Sequence, residues 1–271
     1  MKPSVKIYLN GNDFYQDNKD FLISNKYTEA FFRLDSPQLE ETNKFEYALM
    51  MHDDKHKIVV LKKEPFNLLF FGDRELSIPF VGYLLDNEYE VKDYLCPTEL
   101  GNVIMEAFKD KGFDCYIHIG MDFMEAHEKC DVDIEGIEIP TLDDIDELYE
   151  NANQFAIDCG ITNHADKEKL SFGINEFRII RENGHIVSMA KMNNEFTDNA
   201  KKISYVYTKK EYRGRGYARR VVGSILNDII DSGCIATLNV DQKNPISNHV
   251  YASLGFKKVF SQSIFSLSKE S

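Results

Sequence analysis

The spacing of apolar residues predicts most of the elements of this chain. After Thr141, the residues Leu142, Ile145, Leu148, Tyr149, Ala152 and Ala156 recur at intervals of three and four, one face of a helix. Thr141 and Asp144 form an N-terminal capping pair, and acids crowd the first turn, where the helix dipole favours them. A shorter helical stretch is expected over 163–170. The runs 176–181 and 185–192 read as strands joined through Glu182-Asn183-Gly184, and Asn-Gly is a strong hairpin signal. A third strand is expected over 202–208 and a helix from about Gly216 to Asp231, stopped by Gly233. A strand over 235–240, a helix from Pro245 to Leu254 and a last strand over 256–267 complete the series. The order α, α, β, β, β, α, β, α, β is that of a mixed α/β domain.

The first half shows a related pattern. Residues 27–34 read as helical. The β-prone runs 45–51 and 57–63 flank the polar tip His52-Asp53-Asp54-Lys55-His56, which predicts a hairpin. Phe66–Phe71 is apolar enough for a buried strand. Over 98–111, Leu100, Val103, Ile104, Ala107 and Phe108 share a helical face, with Thr98 as the expected N-cap and Gly112 as the stop. A strand over 113–119 follows. The acidic stretch 122–139, punctuated by Gly136 and Pro140, marks a boundary, so two domains are expected, 1–129 and 130–271.

Composition narrows the class. No apolar run approaches the roughly 20 residues of a membrane helix, and the N-terminus lacks the apolar core of a secretion signal. The five cysteines (Cys96, Cys115, Cys130, Cys159, Cys234) are scattered without a CxxC, which indicates neither a disulfide framework nor a zinc site. A cytoplasmic protein is expected. The net charge of −13 disfavours nucleic acid and anionic membranes as partners and is compatible with a cationic substrate such as an amine. His52 and His56 beside Asp53 and Asp54 have metal-like spacing, but they fall at a hairpin tip, and no metal is expected.

The chemistry concentrates in 206–222, VYTKKEYRGRGYARRVV. A β run ends at Thr208, a basic turn broken by Gly214 and Gly216 follows, and a helix opens. Such a layout aims successive backbone N–H groups and a helix N-terminus at one point, a cradle for phosphate. Glycine lets the backbone approach an anion closely. Six basic residues, Lys209, Lys210, Arg213, Arg215, Arg219 and Arg220, are placed here in an otherwise acidic chain and are expected to form a local cationic site. Neither GxxxxGK[ST] nor GxGxxG is present, so a nucleotide P-loop and a dinucleotide fingerprint are excluded.

The run Arg213-Gly214-Arg215-Gly216-Tyr217-Ala218 resembles the [RQ]-x-x-G-x-[GA] signature of the GNAT N-acetyltransferase superfamily. Downstream, Asn244-Pro245-Ile246-Ser247-Asn248-His249-Val250-Tyr251-Ala252-Ser253-Leu254-Gly255-Phe256 resembles the end of that superfamily's acetyl-CoA site. The resemblance implies a mixed, mostly antiparallel central sheet with flanking helices, an α/β (α+β) fold. It implies that the loop from Arg213 and Gly214 onward, through the amides of Arg215, Gly216, Tyr217, Ala218 and Arg219, binds the diphosphate of acetyl-CoA. Val206, Tyr207 and Thr208 would hold the pantetheine arm and polarise the thioester carbonyl. Asn244 would contact pantetheine, Asn248 would cap or brace the helix, and Tyr251 would be the general acid toward the leaving thiolate. His249, inside the same motif, reads as a helix-surface residue.

The implied activity is direct transfer of acetyl from acetyl-CoA to a primary amine on a small molecule or peptide. The alternative is a non-catalytic acyl-CoA sensor on the same scaffold. The third strand offers no carboxylate, so the general base stays open among Glu195, Asp198, Asp241 and Glu182, with Ser204 and Tyr205 as a water relay. The first half repeats the order hairpin, strand, helix, strand without the loop signature. FNLLFF would stand for VYT and the helix over 98–111 for the phosphate-loop helix. That arrangement is similar to bacterial acetyltransferases with a degenerate GNAT-like N-terminal half, a tandem. Only one strand is left after Gly255-Phe256, where two are usual in the family.

Overall fold

The computed structural model describes residues 2–39, 41–160, 165–197 and 199–269, apart from the side chains of 26, 194–197 and 269. The chain forms two compact units, Met1–Asp122 with Phe260–Ser271, and Phe123–Val259.

In the first unit β1 (Ser4–Tyr8) leads into α1 (Gly11–Leu22) and α2 (Lys26–Asp35). β2 (Tyr47–His52), β3 (Lys57–Lys62) and β4 (Leu68–Gly72) follow, then α3 (Ser77–Asp86), β5 (Asp93–Pro97), α4 (Thr98–Lys109) and β6 (Phe113–Ala126). β1 to β4 form an antiparallel meander, and β5 runs parallel to β4. β3 is apolar on both faces because both are covered. Ile58 and Val60 pack with residues of α3 and α4, and Val59 and Leu61 pack with residues of α1 and α2.

Four elements here escape the apolar pattern: β1, α1, α3 and β5. α1 (GNDFYQDNKDFL) buries only Gly11, Phe14, Asn18 and Leu22, and its start is marked by Asn10, whose side chain accepts the Asp13 N–H. β5 is five residues long and buries just Tyr94 and Cys96. Thr98 does not cap α4. Its Oγ1 is 2.8 Å from Ser263 Oγ, and the residue preceding the helix is Pro97, which has no side chain to offer.

The second unit starts with the end of β6 and β7 (Ile137–Glu138). The Thr141/Asp144 capping box forms as expected and opens a 3₁₀ turn that runs on into α5 (Ile145–Asp158). α6 (Lys167–Phe172) is followed by β8 (Phe177–Glu182), β9 (His185–Thr197) and β10 (Ala200–Thr208). The expected helix over 163–170 thus starts and ends later, and its first two residues lie outside the described ones. Asn183 (φ 51°) and Gly184 (φ 82°) make the β8–β9 hairpin turn. α7 (Tyr217–Asp231), β11 (Ile235–Asp241) and α8 (Pro245–Ser253) complete the set. The strand order is β6-β11-β10-β9-β8-β7, with β10 and β11 parallel and β7 to β10 antiparallel.

The faces of this sheet differ. Ala236, Leu238 and Val240 of β11 pack with Val221, Ile225 and Leu226 of α7 and Tyr251 of α8. Tyr207 of β10 packs instead with Leu148 and Ala152 of α5 and Leu170 of α6, with Tyr205 against that cluster. By strand alternation Thr237, Asn239 and Asp241 point to the α5 side.

The last strand, β12 (Lys257–Lys269), ends in the first unit. There Gln262–Ser266 run antiparallel to Pro97–Asp93 of β5. Phe265 is fully buried and stacks on Tyr94, with ring centroids 4.8 Å apart and planes 5° apart. Gly101 of α4 makes room for it, since a Cβ there would fall 2.1 Å from the Phe265 ring. The units therefore part at 122/123 where 129/130 is expected, and 260–271 group with the first unit. The single strand after Gly255-Phe256 supplies an edge to β5.

Each unit follows one pattern: antiparallel strands, a helix, a strand parallel to the last, and another helix. In that pattern α3 has the place of α7, and α4 has the place of α8. The segment 98–111, matched in the sequence to the phosphate-loop helix, corresponds to the later one. Among the described residues there are eight α-helices, and none is long and apolar enough to cross a membrane.

Candidate functional site

β10 and β11 are hydrogen-bonded as neighbours only at Ala200↔Ile235, Lys201↔Ala236 and Lys202↔Thr237. Beyond that the strands part. β10 stays with β9, but a bulge falls between Ser204 and Tyr207. Tyr205 takes φ +50° there, a left-handed conformation that costs a non-glycine residue about 1–3 kcal/mol. Its ring lies 5.7 Å from that of Phe155 and 6.2 Å from that of Phe177, contacts that hold the bulge. The parted strands leave backbone groups facing a cavity of about 710 Å³.

One end of the cavity is the N-terminus of α7. Gly214 (φ +78°) and Gly216 (φ +80°) take conformations that other residues rarely adopt, and a Cβ at either would meet no protein atom. No side chain caps α7 and no acid lies in its first turn, so its leading N–H groups and positive dipole end are bare. The basic side chains are spent elsewhere. Arg213 donates to the Thr208 carbonyl (2.9 Å) and to Asp158 (2.6 Å). Arg215 lies over the Tyr212 ring (5.0 Å). Arg219 donates to the Asp131 carbonyl (3.0 Å), Arg220 to the carbonyls of Asp133 and Glu135, and Lys209 to Glu147 (2.7 Å). The expected cationic cluster is thus largely partnered, and what this end presents to the cavity is mostly backbone and helix dipole.

The other wall comes from β11 and α8. Asn244 is the N-cap of α8, its side-chain oxygen accepting the Ser247 N–H at 3.0 Å. Asn248 donates to the carbonyls of Asp241 (2.9 Å) and Asn244 (2.8 Å), bracing the turn from β11 into the helix. Tyr251 is buried, edge-on to Phe256 (6.2 Å), and lines the cavity. Burial, and secondarily the Cys159 thiol, push its phenol well above the ordinary range, against a hydrogen bond with Ser247. The phenol therefore keeps its proton at neutral pH.

The cavity brings together Val206, Tyr207, Thr208, Arg213, Gly214, Gly216, Tyr217, Ala218, Arg219, Asn244 and Tyr251 of the expected site; Arg215 and Asn248 are not on its wall. Sequence reasoning missed Phe155, Asp158 and Cys159 at the end of α5, and Asn239. The first three carry no motif. Asn239 had a signal: it is the polar residue of the otherwise apolar run Leu238–Val240, on the opposite face.

The base candidates fall apart from one another. Glu182 accepts the Tyr217 hydroxyl. Asp241 lines the cavity and accepts the Lys243 N–H at 2.8 Å. Ser204 Oγ accepts from Asn193 at 3.0 Å. The Glu195 side chain and Asp198 lie outside the described residues. His249 is exposed, in keeping with the sequence. His52 contacts Ser4 and His56 contacts Asp53, and among the described residues no cluster of three or more His, Cys, Asp or Glu could hold a metal.

Three carboxylates tie this unit together. Burial pushes Asp144, Glu147 and Asp158 up, but Thr141 N–H and Arg181, Lys209, and Arg213 respectively outweigh it and hold all three below the ordinary range. Groups so depressed stabilise the fold above their unfolded-state values, about 4, and that contribution is lost as pH falls through the lower folded values. The urea midpoint should therefore drop below about pH 4, and Asp158→Asn should flatten part of that drop. A midpoint unchanged between pH 7 and pH 3 would contradict it.

Residues 184–265 match the family described as FR47-like protein. No curated protein matches the sequence. Among solved structures, a GCN5-related N-acetyltransferase from Sphaerobacter thermophilus superposes with a TM-score of 0.67 at 14% identity, over 97% of this chain and 94% of the other. An acetyltransferase of the GNAT family from Colwellia psychrerythraea gives 0.66 at 13%, over 98% and 100%. A GCN5-related glucosamine N-acetyltransferase region in a fungal multi-domain GH3 β-N-acetylglucosaminidase gives 0.62 at 13%, over 97% of this chain and 38% of the other.

Proposed function

From the premise that this chain has the GNAT fold and carries an FR47-like segment at 184–265, we propose that it is an N-acetyltransferase. It moves an acetyl group from acetyl-CoA to a primary amine by direct attack in a ternary complex. The observation that carries this reading is the gap between β10 and β11, open to the uncapped start of α7 at one end and to Tyr251 at the other, in one cavity.

The residues fit the donor. The amides of Arg215 to Arg219 form the diphosphate cradle, with Gly214 and Gly216 supplying the left-handed turns. Where β10 leaves β11, the edge of Val206, Tyr207 and Thr208 offers backbone groups to the pantetheine amides and a donor to the thioester oxygen, although the carbonyl of Thr208 already accepts from Arg213 and that of Tyr207 from Ser188. Asn244 has spent its side-chain oxygen on Ser247 N–H and keeps its amide nitrogen for pantetheine. Tyr251, held protonated by burial, gives its proton to the departing thiolate. The acceptor amine arrives uncharged and attacks the carbonyl carbon; as the C–S bond breaks, the proton it loses replaces the one Tyr251 has given to the sulfur, so the phenol is restored and the products are the amide and the free thiol.

The reading is of a cytoplasmic enzyme without metal, acting on a small molecule or peptide rather than on nucleic acid or a membrane. The first unit is a GNAT-like half without the loop signature. Between β4, β5 and α4 its space is filled by Phe70, Tyr94, Phe108 and Phe265.

One observation favours a second reading, an acyl-CoA sensor without turnover: Asp158, a carboxylate lining the cavity, is held by Arg213. Calorimetric binding of acetyl-CoA, followed by thiol release over a panel of primary amines, separates the two. Tyr251→Phe is expected to lower kcat about 100-fold, the lower end for loss of a general acid, with the Kd for acetyl-CoA unchanged. Tight binding with no thiol release from any amine would favour the sensor.

A further inference from the structure

The stretch 214–218 is the part of the loop before α7 with the most freedom to lose. Gly214 and Gly216 both take positive φ and lie in open space, and fixing a glycine removes more conformations than fixing any other residue. The residues on either side are tied down. Arg213 is held by Asp158 and the Thr208 carbonyl, and Arg219 and Arg220 by the carbonyls of Asp131, Asp133 and Glu135. Arg215 makes contacts close by in the chain, with the Glu211 carbonyl, the Tyr212 ring and Tyr217. Among the described residues one hydrogen bond joins 214–218 to another element: the Tyr217 hydroxyl donates to Glu182 Oε1.

Glu182 is a firm anchor. It ends β8, immediately before the Asn183-Gly184 turn, and is paired with His185 across the hairpin. α7 runs against β8 and is tied to it at both ends. Arg178, near the start of β8, reaches Asp228, near the end of α7, at 2.6 Å. Glu182, at the end of β8, takes the hydroxyl of Tyr217, the first residue of α7. Between the two ties Ile180 shares a buried cluster with Val221 and Ile225. Only the second tie meets the cavity, because Tyr217 lines it and neither Arg178 nor Asp228 does. The bond to Glu182 also pushes the Tyr217 phenol up, so the hydroxyl stays a donor at neutral pH.

We propose that Glu182 is a positioning residue: through Tyr217 it fixes the first turn of α7, so that the amides of 215–219 converge before the diphosphate arrives. The inference rests on the acetyltransferase reading, and it gives Glu182 a place behind the donor instead of the base role open to it in the sequence. A loop that is already ordered loses less freedom on binding, so the tie is read out as affinity. In this role Glu182 touches neither donor nor acceptor, and no proton leaves it or reaches it.

The test is a double-mutant cycle on acetyl-CoA affinity, measured by calorimetry in wild type, Glu182→Ala, Tyr217→Phe, the double variant and Glu182→Gln. Tyr217→Phe keeps the ring and its packing, so it reports on the hydroxyl even where Glu182→Ala disturbs the hairpin. Each single variant is expected to raise the Kd about fivefold, the ratio that one net hydrogen bond supports. The double variant should lose no more than either single one, because both break the same bond. Glu182→Gln keeps a carbonyl oxygen to accept the hydroxyl, and its Kd should stay within twofold of wild type. Unchanged affinity in Glu182→Ala and Tyr217→Phe would overturn the proposal. So would losses that multiply in the double variant, or a Glu182→Gln as weak as Glu182→Ala, which would make the effect one of charge. Failure of wild type to bind acetyl-CoA is a different result, which removes the acetyltransferase reading itself. Hydrogen exchange in the ligand-free protein then decides the tie. The Arg220 amide, bonded to the Gly216 carbonyl at 3.1 Å, should exchange at least threefold faster in Glu182→Ala and Tyr217→Phe, and unchanged rates would overturn the proposal.

Discussion

Replacing Gly216 by Glu is expected to weaken acetyl-CoA binding about 100-fold or more, some 2.7 kcal/mol. Two effects add. Gly216 has φ +80° and directly precedes α7, and a side chain in that left-handed region costs about 1–2 kcal/mol. The new carboxylate would also stand where the diphosphate is expected, at the positive end of α7, and would take up the dipole itself. Since a Cβ at 216 meets no protein atom, the variant should fold. Gly216→Ala separates the effects: it carries the strain without the charge and should lose about tenfold or less. Calorimetry gives the Kd values, and circular dichroism melts confirm folding. Equal affinity in wild type and Gly216→Glu would place the diphosphate elsewhere.

Phe265→Ala is expected to destabilise the first unit by about 3–5 kcal/mol, the range for removing a buried aromatic ring. The ring is wholly buried, lies flat on Tyr94, and fills the space that Gly101 leaves by lacking a Cβ. No neighbour can close so large a hole, because Tyr94 is itself held by a hydrogen bond to the Gly101 carbonyl at 3.1 Å. Phe265→Leu, which keeps part of the volume, should cost roughly half as much. Urea unfolding followed by near-ultraviolet dichroism of the tyrosines measures both. A loss under about 1 kcal/mol in Phe265→Ala would mean that β12 contributes an edge and little core.

The legible parts were those whose signal is local. The hairpin at Asn183-Gly184, the capping box at Thr141 and the helix after Gly216 each depend on residues within a few positions, and each forms as expected. α3 was missed although it buries one face, Ser77, Phe80, Val81 and Leu84, because the apolar residues Ile78, Pro79 and Leu85 outside that face blur the period. α1 was missed for the opposite reason, since Phe14 and Leu22 are the only apolar side chains it buries. Thr98 has the composition of a cap, but its hydroxyl goes to Ser263, a partner 165 positions away. The turn before α7 was legible through its glycines, while the partners of its arginines were not. Charge can be counted in a sequence, but whether Arg213 reaches a ligand or Asp158 depends on where α5 ends.

The return of β12 to β5 also bears on how the chain matures during synthesis. Thr98, just after β5, leaves the ribosome 165 residues before its partner Ser263. At 5–20 residues per second that is a wait of roughly 8–33 s. Throughout it the β5 edge that Gln262–Ser266 will cover is open, and the whole of Phe123–Val259 emerges in the interval. The half that is made first is thus the half that finishes last, and the nascent chain carries an unpaired strand edge of the kind that recruits chaperones or a neighbouring chain.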